Sequence, residues 1–435
     1  MKRAIVGFLL IGFSLFLKSC NTTEPPPNGE KPTLELTLED VSCTEAWITL
    51  STTNLQLPTT ITIKQNDQTH STINLVKADT LLYIDSLLPN QTYKFQSVIL
   101  PEESFGQSIN QSEIKSNELS VTTMDTTSHN FTFETFTFGG TAGSCTFYDV
   151  AIINENYIIA VGSVFLTDSL GQPDPQPYGV AIWDGQTWQL KKIFHSINIP
   201  VTPRGILVIN ANEIYLAAGS IFRWDGISST VQMVFSRLSL PDPNATIEKL
   251  WGSSSTSIYG VGNVGSIVYY NGQSWQRIES GTELNINDIW GISDGNGGFN
   301  KYLAAYNAML KLDANKNLSR IEAEPGMHVF SIWGYTNQLI YVVGGENDAL
   351  YKNYKWEIIN DPLVNTLYRI RGQNYNDVFG ISSLGTILHF NGYNWGSINV
   401  PVENIFLKLD VKGNVIASVG WQGEKAVITI IRRNN

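Results

Sequence analysis

The chain has 435 residues, of which 15% are charged and 11% are aromatic. Its 36 glycines and 17 prolines are typical of an all-β protein with many turns. The formal net charge of −11 argues against non-specific nucleic-acid binding, which needs a basic surface, so nucleic acid is not expected as a partner. A chain of this length is expected to form two or three domains.

The N-terminus indicates an exported protein. Lys2 and Arg3 precede an apolar run, Ala4 to Leu17, that is too short to span a bilayer and is typical of a secretory signal. The closing tetrapeptide Leu17-Lys18-Ser19-Cys20 resembles the bacterial lipoprotein box. That resemblance implies that residues 1–19 are removed and that Cys20 carries lipid, which anchors the protein to a membrane. The alternative is an ordinary signal peptide with a chance cysteine.

Residues 20–32 form the next predicted element, a flexible tether. It contains Pro25-Pro26-Pro27 and Gly29, which favour an extended, polar segment without a core. Asn21 follows the cysteine where inner-membrane lipoproteins commonly carry aspartate. The outer membrane or the cell surface is therefore the expected location.

Residues 33–124 show short alternating strands separated by turns, as in a sandwich of two sheets. Seven strands are predicted there. The segment Leu87-Leu88-Pro89-Asn90-Gln91-Thr92-Tyr93 resembles the tyrosine corner of fibronectin type III domains, which implies an immunoglobulin-like sandwich. The strand after Ala46 is expected to direct Ile48 and Leu50 inward and Trp47 outward. A shift of one residue would reverse this assignment.

The second half of the chain repeats a phrase about every forty residues, a period typical of β-propeller blades. Its occurrences are Trp251-Gly252, Trp290-Gly291, Trp333-Gly334 and Arg371-Gly372. Counting the predicted innermost strands yields seven blades. Those strands lie near Asp149–Ile153, Ile206–Asn210, Lys249–Gly252, Ile289–Ser293, Ser331–Gly334, Tyr368–Gly372 and Phe406–Leu409.

The last repeat lacks a fourth strand before the chain ends. The segment Asn130–Phe138, with Phe131, Phe133, Phe136 and Phe138, is predicted to supply that strand and to close the ring. The sequence thus predicts an all-β chain, in which a fibronectin type III-like sandwich precedes a seven-bladed β-propeller at residues 130–435. The arrangement resembles surface lipoproteins of the Bacteroidetes–Ignavibacteria kind.

Cys43 and Cys145 are the remaining cysteines. In an oxidising envelope they could form a disulfide, and the alternative is two unpaired, partly buried thiols. No cofactor motif and no metal-ligand spacing appears. Asp313, Asn315 and Asn317 alternate as in a calcium loop, but Leu318 stands where that loop needs glycine, so a hairpin is expected.

A ligand is expected to bind at the funnel where the first strands begin. The predicted ligand-binding residues are Asp149, Arg204, Lys249, Asp288, Ser331 and Arg369, with Tyr148 and Tyr368 as stacking surfaces. The favoured function is a non-catalytic binding or scaffold lipoprotein with a glycan or protein ligand. The alternative is a glycan-active enzyme, in which Asp149 and Asp288 would act as the carboxylate pair.

Overall fold

The computed structural model describes residues 31–100, 113–324, 326–345, 347–364, 366–382, 385–400 and 403–434. The leader, Cys20 and most of the tether lie outside the described residues. Strands account for the regular structure that is described, apart from one 3-10 turn at Arg237–Ser239. Within these ranges, the structure has no helix with the length and apolarity needed to cross a membrane.

The chain divides into two compact units. Among the described residues, the first comprises those from 31 to 41, 46 to 85 and 92 to 122, and the second comprises those from 42 to 45, 86 to 91 and 123 to 434.

The first unit has two antiparallel sheets. One contains β1, β2 and β5, and the other has the order β4-β3-β6-β7, with β8 also paired to β6. The strands are β1 (Thr33–Val41), β2 (Ala46–Thr53), β3 (Thr59–Gln65), β4 (Gln68–Leu75), β5 (Asp79–Ile84), β6 (Thr92–Ile99), β7 (Ile114–Lys115) and β8 (Leu119–Thr122). Buried side chains such as Leu36, Ile61 and Phe95 come from both sheets.

The outward orientation predicted for Trp47 is wrong. Trp47 is fully buried, and so are its neighbours Ile48 and Leu50 on the same strand. The Tyr83 ring of β5 lies 5.7 Å from the Trp47 ring, centroid to centroid. Both faces of β2 are therefore covered at its start, and the alternation of inward and outward residues does not apply there.

The second unit contains, among its described residues, seven four-stranded antiparallel sheets in chain order. The first sheet has β10 (Thr146–Asn154), β11 (Tyr157–Val164), β12 (Tyr178–Trp183) and β13 (Trp188–Lys191); a small hairpin follows, with β14 (Phe194–Ser196) and β15 (Ile199–Pro200). The second has β16 (Gly205–Asn210), β17 (Glu213–Ala218), β18 (Ser220–Trp224) and β19 (Gln232–Phe235). The third has β20 (Ile247–Ser254), β21 (Ser257–Gly262), β22 (Ile267–Tyr270) and β23 (Trp275–Arg277).

The remaining four sheets repeat this order. The fourth has β24 (Asp288–Ser293), β25 (Phe299–Ala305), β26 (Ala308–Leu312) and β27 (Leu318–Glu322). The fifth has β28 (Ser331–Thr336), β29 (Leu339–Val343), β30 (Ala349–Lys352) and β31 (Lys355–Ile358). The sixth has β32 (Leu367–Asn374), β33 (Asp377–Ser382), β34 (Ile387–Phe390) and β35 (Trp395–Ile398). The seventh has β36 (Ile405–Lys412), β37 (Val415–Gln422), β38 (Lys425–Arg433) and β9 (Phe131–Phe138).

The strand β9 completes the seventh sheet from the opposite end of the unit. It pairs antiparallel with β38, so that Phe136 lies opposite Ile428. The Phe136 ring packs 5.4 Å from the Trp183 ring of the first sheet. A buried cluster that includes Phe147 and Ile428 joins the first and seventh sheets. The sheets of this unit therefore close into a ring, and its cores lie between neighbouring sheets.

Packing between neighbouring sheets explains two glycines of the repeated phrase. A Cβ atom added to Gly291 would lie 2.0 Å from the ring of Trp251 on the preceding sheet, and one added to Gly372 would lie 2.9 Å from the Trp333 ring. Each glycine thus leaves the space that an indole from another sheet occupies.

Candidate functional site

The first strands of the seven sheets contact one another in order, and the last contacts the first, so they line the interior of the ring. In each sheet the first strand pairs with the second strand. Comparing these pairings across the seven sheets identifies one residue at the equivalent position of each first strand. Each aligned residue precedes a buried apolar residue, which faces the opposite way. We call this set the axial ring; its members are Asp149, Gly205, Lys249, Asp288, Ser331, Arg369 and Lys408.

Asp149 is buried and carries a full set of partners. Lys249 Nζ lies 2.7 Å from Asp149 Oδ2, and the Ile206 N–H donates to the same oxygen at 3.2 Å. The ion pair joins the first and third sheets, while the second sheet contributes Gly205, which has no side chain at this level. The pair therefore neutralises both residues inside the ring.

Asp288 repeats this arrangement between the fourth and sixth sheets. Arg371 Nη2 lies 2.6 Å from Asp288 Oδ1, and Arg371 Nη1 lies 2.8 Å from Oδ2. Ser331 of the intervening sheet donates its hydroxyl to Oδ2 at 2.6 Å. Burial raises the pKa of Asp288, but Arg371, Lys408 and Lys249 outweigh this effect and hold that pKa well below its usual range.

These contacts decide what the two carboxylates can do. Asp149 and Asp288 each accept hydrogen bonds from backbone N–H groups of their own and of the next sheet. A general acid needs a raised pKa and an oxygen within reach of a substrate. The arrangement instead favours a structural role, in which the two carboxylates fasten the first strands to one another.

Asp410 lies two residues beyond the axial ring on β36. Its carboxylate accepts the Ile152 N–H at 2.8 Å and the Val411 N–H at 2.9 Å. Burial raises the pKa of Asp410. A cavity of about 170 Å³ adjoins it, and its lining includes Lys249, Trp251, Trp290, Arg371 and Asp410. This volume suits water molecules and is too small for a polypeptide segment.

An aromatic cluster lies at the end of the ring where the first strands begin. Tyr306, at the β25–β26 turn, stacks on His328 at 4.5 Å between ring centroids. Phe330 lies 5.8 Å from Tyr306 and stacks on Tyr368 at 6.3 Å. Tyr306 is 41% exposed and Tyr368 is 40% exposed. These four residues, which we call the aromatic ladder, form one cluster in which Tyr306 and Tyr368 are the exposed members.

Arg204 and Tyr148 lie at the same end of the first and second sheets. The Arg204 guanidinium stands 5.0 Å from the centroid of the Tyr148 ring, and Arg204 Nε is 3.8 Å from Glu248 Oε2. Beside them is a cavity of about 570 Å³, whose lining includes His195, Arg204, Phe222, Arg237, Thr246 and Glu248.

The structure separates the predicted site residues into groups. Asp149, Lys249, Asp288 and Ser331 belong to the axial ring and are occupied by contacts within it. Arg369 also lies in the axial ring, whereas Gly205 takes the position expected for Arg204. The exposed residues of the predicted set are Tyr368 and Arg204.

Sequence reasoning missed Lys408, Arg371 and most of the aromatic ladder. Aligning Leu409 with Leu250 as the buried residue of each first strand would have placed Lys408 beside Lys249 in the axial ring. That signal was present but weak, because the seventh repeat has no Trp-Gly phrase. The aromatic ladder comes from loops, where the repeat has no fixed pattern.

Cys43 and Cys145 are both unpaired and buried, so the structure has two separate thiols instead of a disulfide. Cys43 Sγ donates to the Asp125 carbonyl at 3.3 Å, and Cys145 Sγ donates to the Gly143 carbonyl at 3.3 Å. The described part of the chain holds no group of three or more His, Cys, Asp or Glu residues placed to bind a metal. The Asp313 carboxylate accepts the Asn317 N–H at 2.7 Å in the β26–β27 hairpin.

No protein-family model matches the chain, and a search of curated proteins found no significant relative. Solved structures match its fold. The WD40 β-propeller domain of Doa1 is 10% identical, with a TM-score of 0.52 over 69% of this chain and 96% of that domain. The chain contains a β-propeller. The structure of YCF48 bound to D1 peptide is also similar, at 14% identity and a TM-score of 0.52, over 70% of this chain and 97% of the other.

Proposed function

We propose that this protein is a non-catalytic binding or scaffold lipoprotein of the cell envelope, whose propeller holds a protein segment against the aromatic ladder. The seven four-stranded sheets would be seven blades, and the first unit would be a fibronectin type III-like spacer that follows the tether. Lipid on Cys20 would keep the protein at the outer membrane or the cell surface.

The observation that carries this proposal is the contrast between the ring interior and its rim. The rim is the end of the ring where the first strands begin and where the aromatic ladder lies. The interior carboxylates are saturated by ion pairs and backbone donors, whereas Tyr306 and Tyr368 expose about two fifths of their surface. Exposed aromatic rings contribute large contact areas at low cost in conformational entropy. The rim is therefore built for contact and not for proton transfer.

A protein segment suits this rim better than a lone small molecule. The aromatic ladder runs from the β25–β26 turn of the fourth sheet to the first strand of the sixth sheet. An extended segment can contact all of it and place successive side chains against separate rings. The YCF48 structure is also a peptide complex, which supports this type of ligand by analogy of fold alone.

The experiment compares three proteins on an array of short synthetic peptides of randomised sequence. They are the wild type, the double variant Tyr306→Ala/Tyr368→Ala, and Tyr354→Ala. Tyr354 is the matched control, because it also has a positive φ in a hairpin turn but lies at the opposite end of its sheet and is highly exposed. We expect a defined set of peptides to bind the wild type and Tyr354→Ala, and to bind the double variant at least ten-fold more weakly.

Equal binding by all three proteins would move the site away from the aromatic ladder. Turnover of a glycan by the wild type, with loss of that turnover in Asp149→Asn, would favour the enzyme function instead. An array that binds nothing would contradict the proposal for peptide ligands.

A further inference from the structure

The charged groups along the propeller axis do not balance. Three carboxylates and four cationic side chains lie at the axial ring or two residues beyond it. Lys249 pairs with Asp149 and Arg371 pairs with Asp288, while Asp410 accepts two backbone N–H groups. The two cations that remain are Arg369 and Lys408, and no carboxylate among the described residues forms an ion pair with either.

Arg369 makes one hydrogen bond through its guanidinium but leaves another of its N–H groups without an acceptor among the described residues. Its Nη1 donates to the Tyr368 carbonyl at 2.7 Å, which fixes the guanidinium beside the aromatic ladder. Its Nε is buried and has no hydrogen-bond partner within the described structure. A buried donor without a partner is costly, and that cost falls when an acceptor arrives.

Lys408 occupies the equivalent axial-ring position on the next first strand, since β32 and β36 contact each other. Burial, followed by repulsion from Arg369, lowers the pKa of Lys408 well below its ordinary value. An anion beside both groups would offset the repulsion and supply the missing partner.

We propose that Arg369 and Lys408 form a carboxylate-binding subsite in the axial ring, beside the aromatic ladder, which receives an acidic group of the protein segment lying on that ladder. The inference rests on the proposed function. Tyr368 precedes Arg369 directly and stacks on Phe330, so a residue seated there places its carboxylate next to the guanidinium. The carboxylate can be a C-terminus or an Asp or Glu side chain.

The test uses the full-length chain and the peptides that bind the wild type. Each peptide is made in three forms: with a free C-terminus, with an amidated C-terminus, and with Asp and Glu replaced by Asn and Gln. We expect one of the two neutralised forms to bind at least ten-fold more weakly, which identifies the source of the carboxylate. This comparison leaves the protein unchanged, so it does not depend on how any variant folds.

The variants Arg369→Gln and Lys408→Gln should each weaken the acidic form at least ten-fold and leave the neutralised form unaffected. Lys355→Gln is the control, because this exposed lysine lies at the opposite end of the fifth sheet. Acidic oligosaccharides of uronic acid are assayed in parallel. The expected result is that peptides bind and these sugars do not.

Distinct results overturn each proposal. Peptides that depend on Tyr368 but bind equally in acidic and neutral forms would reject the carboxylate subsite and retain the protein-binding function. Binding of uronic acids, lost in Arg369→Gln, together with no peptide binding would assign the subsite to a glycan and reject the protein ligand. Binding of neither class to the wild type would reject both proposals.

Discussion

Arg371 on β32 reaches past the fifth sheet to Asp288 on β24, and its two terminal nitrogens lie 2.6 and 2.8 Å from the two carboxylate oxygens. Asp149 and Lys249 have the same relationship between the first and third sheets. In both cases the residue between them in the ring is small. The ion pairs thus cross-link first strands that are not neighbours, and they hold the interior of the propeller together.

Replacing Arg371 with Met should lower the free energy of unfolding by about 3–5 kcal/mol, because Asp288 would keep its charge in a buried site without its cation. Urea denaturation measures this loss. Arg369→Met is the matched control: the residue lies on the same strand without a carboxylate partner among the described residues, and its loss should stay below about 1 kcal/mol. The double variant Arg371→Met/Asp288→Asn should lose less than the two single losses combined. Equal losses for the Arg371 and Arg369 variants would contradict the structural role.

Gly291→Ala should destabilise the propeller by at least about 1–3 kcal/mol, because the added methyl group would overlap the Trp251 ring. Trp251→Leu removes that overlap and leaves a cavity instead. Combined with Gly291→Ala, it should cost less than the two changes measured separately, and thermal unfolding provides the comparison. Additive losses would show that the Trp-Gly phrase has another origin.

The closing strand should be needed for a soluble propeller. Deleting residues 130–138 would expose the edge of β38, which favours aggregation. Phe136→Ala tests the same contact more finely: its ring packs on Trp183, so about 2–3 kcal/mol should be lost. Phe133 on the same strand is 42% exposed, and Phe133→Ala should cost less than about 1 kcal/mol. If the two alanine variants unfold at the same urea concentration, β9 does not close the ring as described.

Asp348 should make stability depend on pH. Burial raises the pKa of Asp348 to about 6, although the N–H groups of Gly344 and Leu367 donate to its carboxylate. Its folded pKa is above the unfolded value near 4, so its contribution to stability is complete below pH 4 and is lost as the pH rises through 6.

The comparison for Asp348 is with Asp348→Asn, which does not titrate. The stability of the wild type relative to this variant should fall by about 3 kcal/mol between pH 4 and pH 7. A difference that stays constant over this range would show that Asp348 keeps an ordinary pKa.

Cys20→Ser should release the protein from the membrane fraction, because the variant has no thiol to carry lipid. Detergent partitioning and the mass of the mature N-terminus would measure this change. Cys43→Ser is the control, since Cys43 is a buried thiol of the folded region. A Cys20→Ser protein that is processed normally and still fractionates with membranes would contradict the lipoprotein proposal.

The strand pattern of this protein follows from its sequence. Period-two alternation, turn residues and the Trp-Gly phrase act over a few residues, so they predict all-β structure and repeated four-stranded sheets. The comparison with solved propellers confirms the all-β fold and the propeller. The position of Phe131–Phe138 could also be predicted, because the last repeat supplies three strands and needs a fourth strand to cover its edge.

Tertiary structure alone decided which polar groups remain available. Asp149 and Lys249 are 100 positions apart, and Asp288 and Arg371 are 83 apart. Spacing along the chain cannot show that these pairs meet, because each skips one sheet and depends on the small residue between them. Closure of the ring brought these charges together and left Arg369 and Lys408 without a carboxylate partner among the described residues. The physical reason is that strands are specified by local preference, whereas charge pairing depends on which strands face one another across the axis.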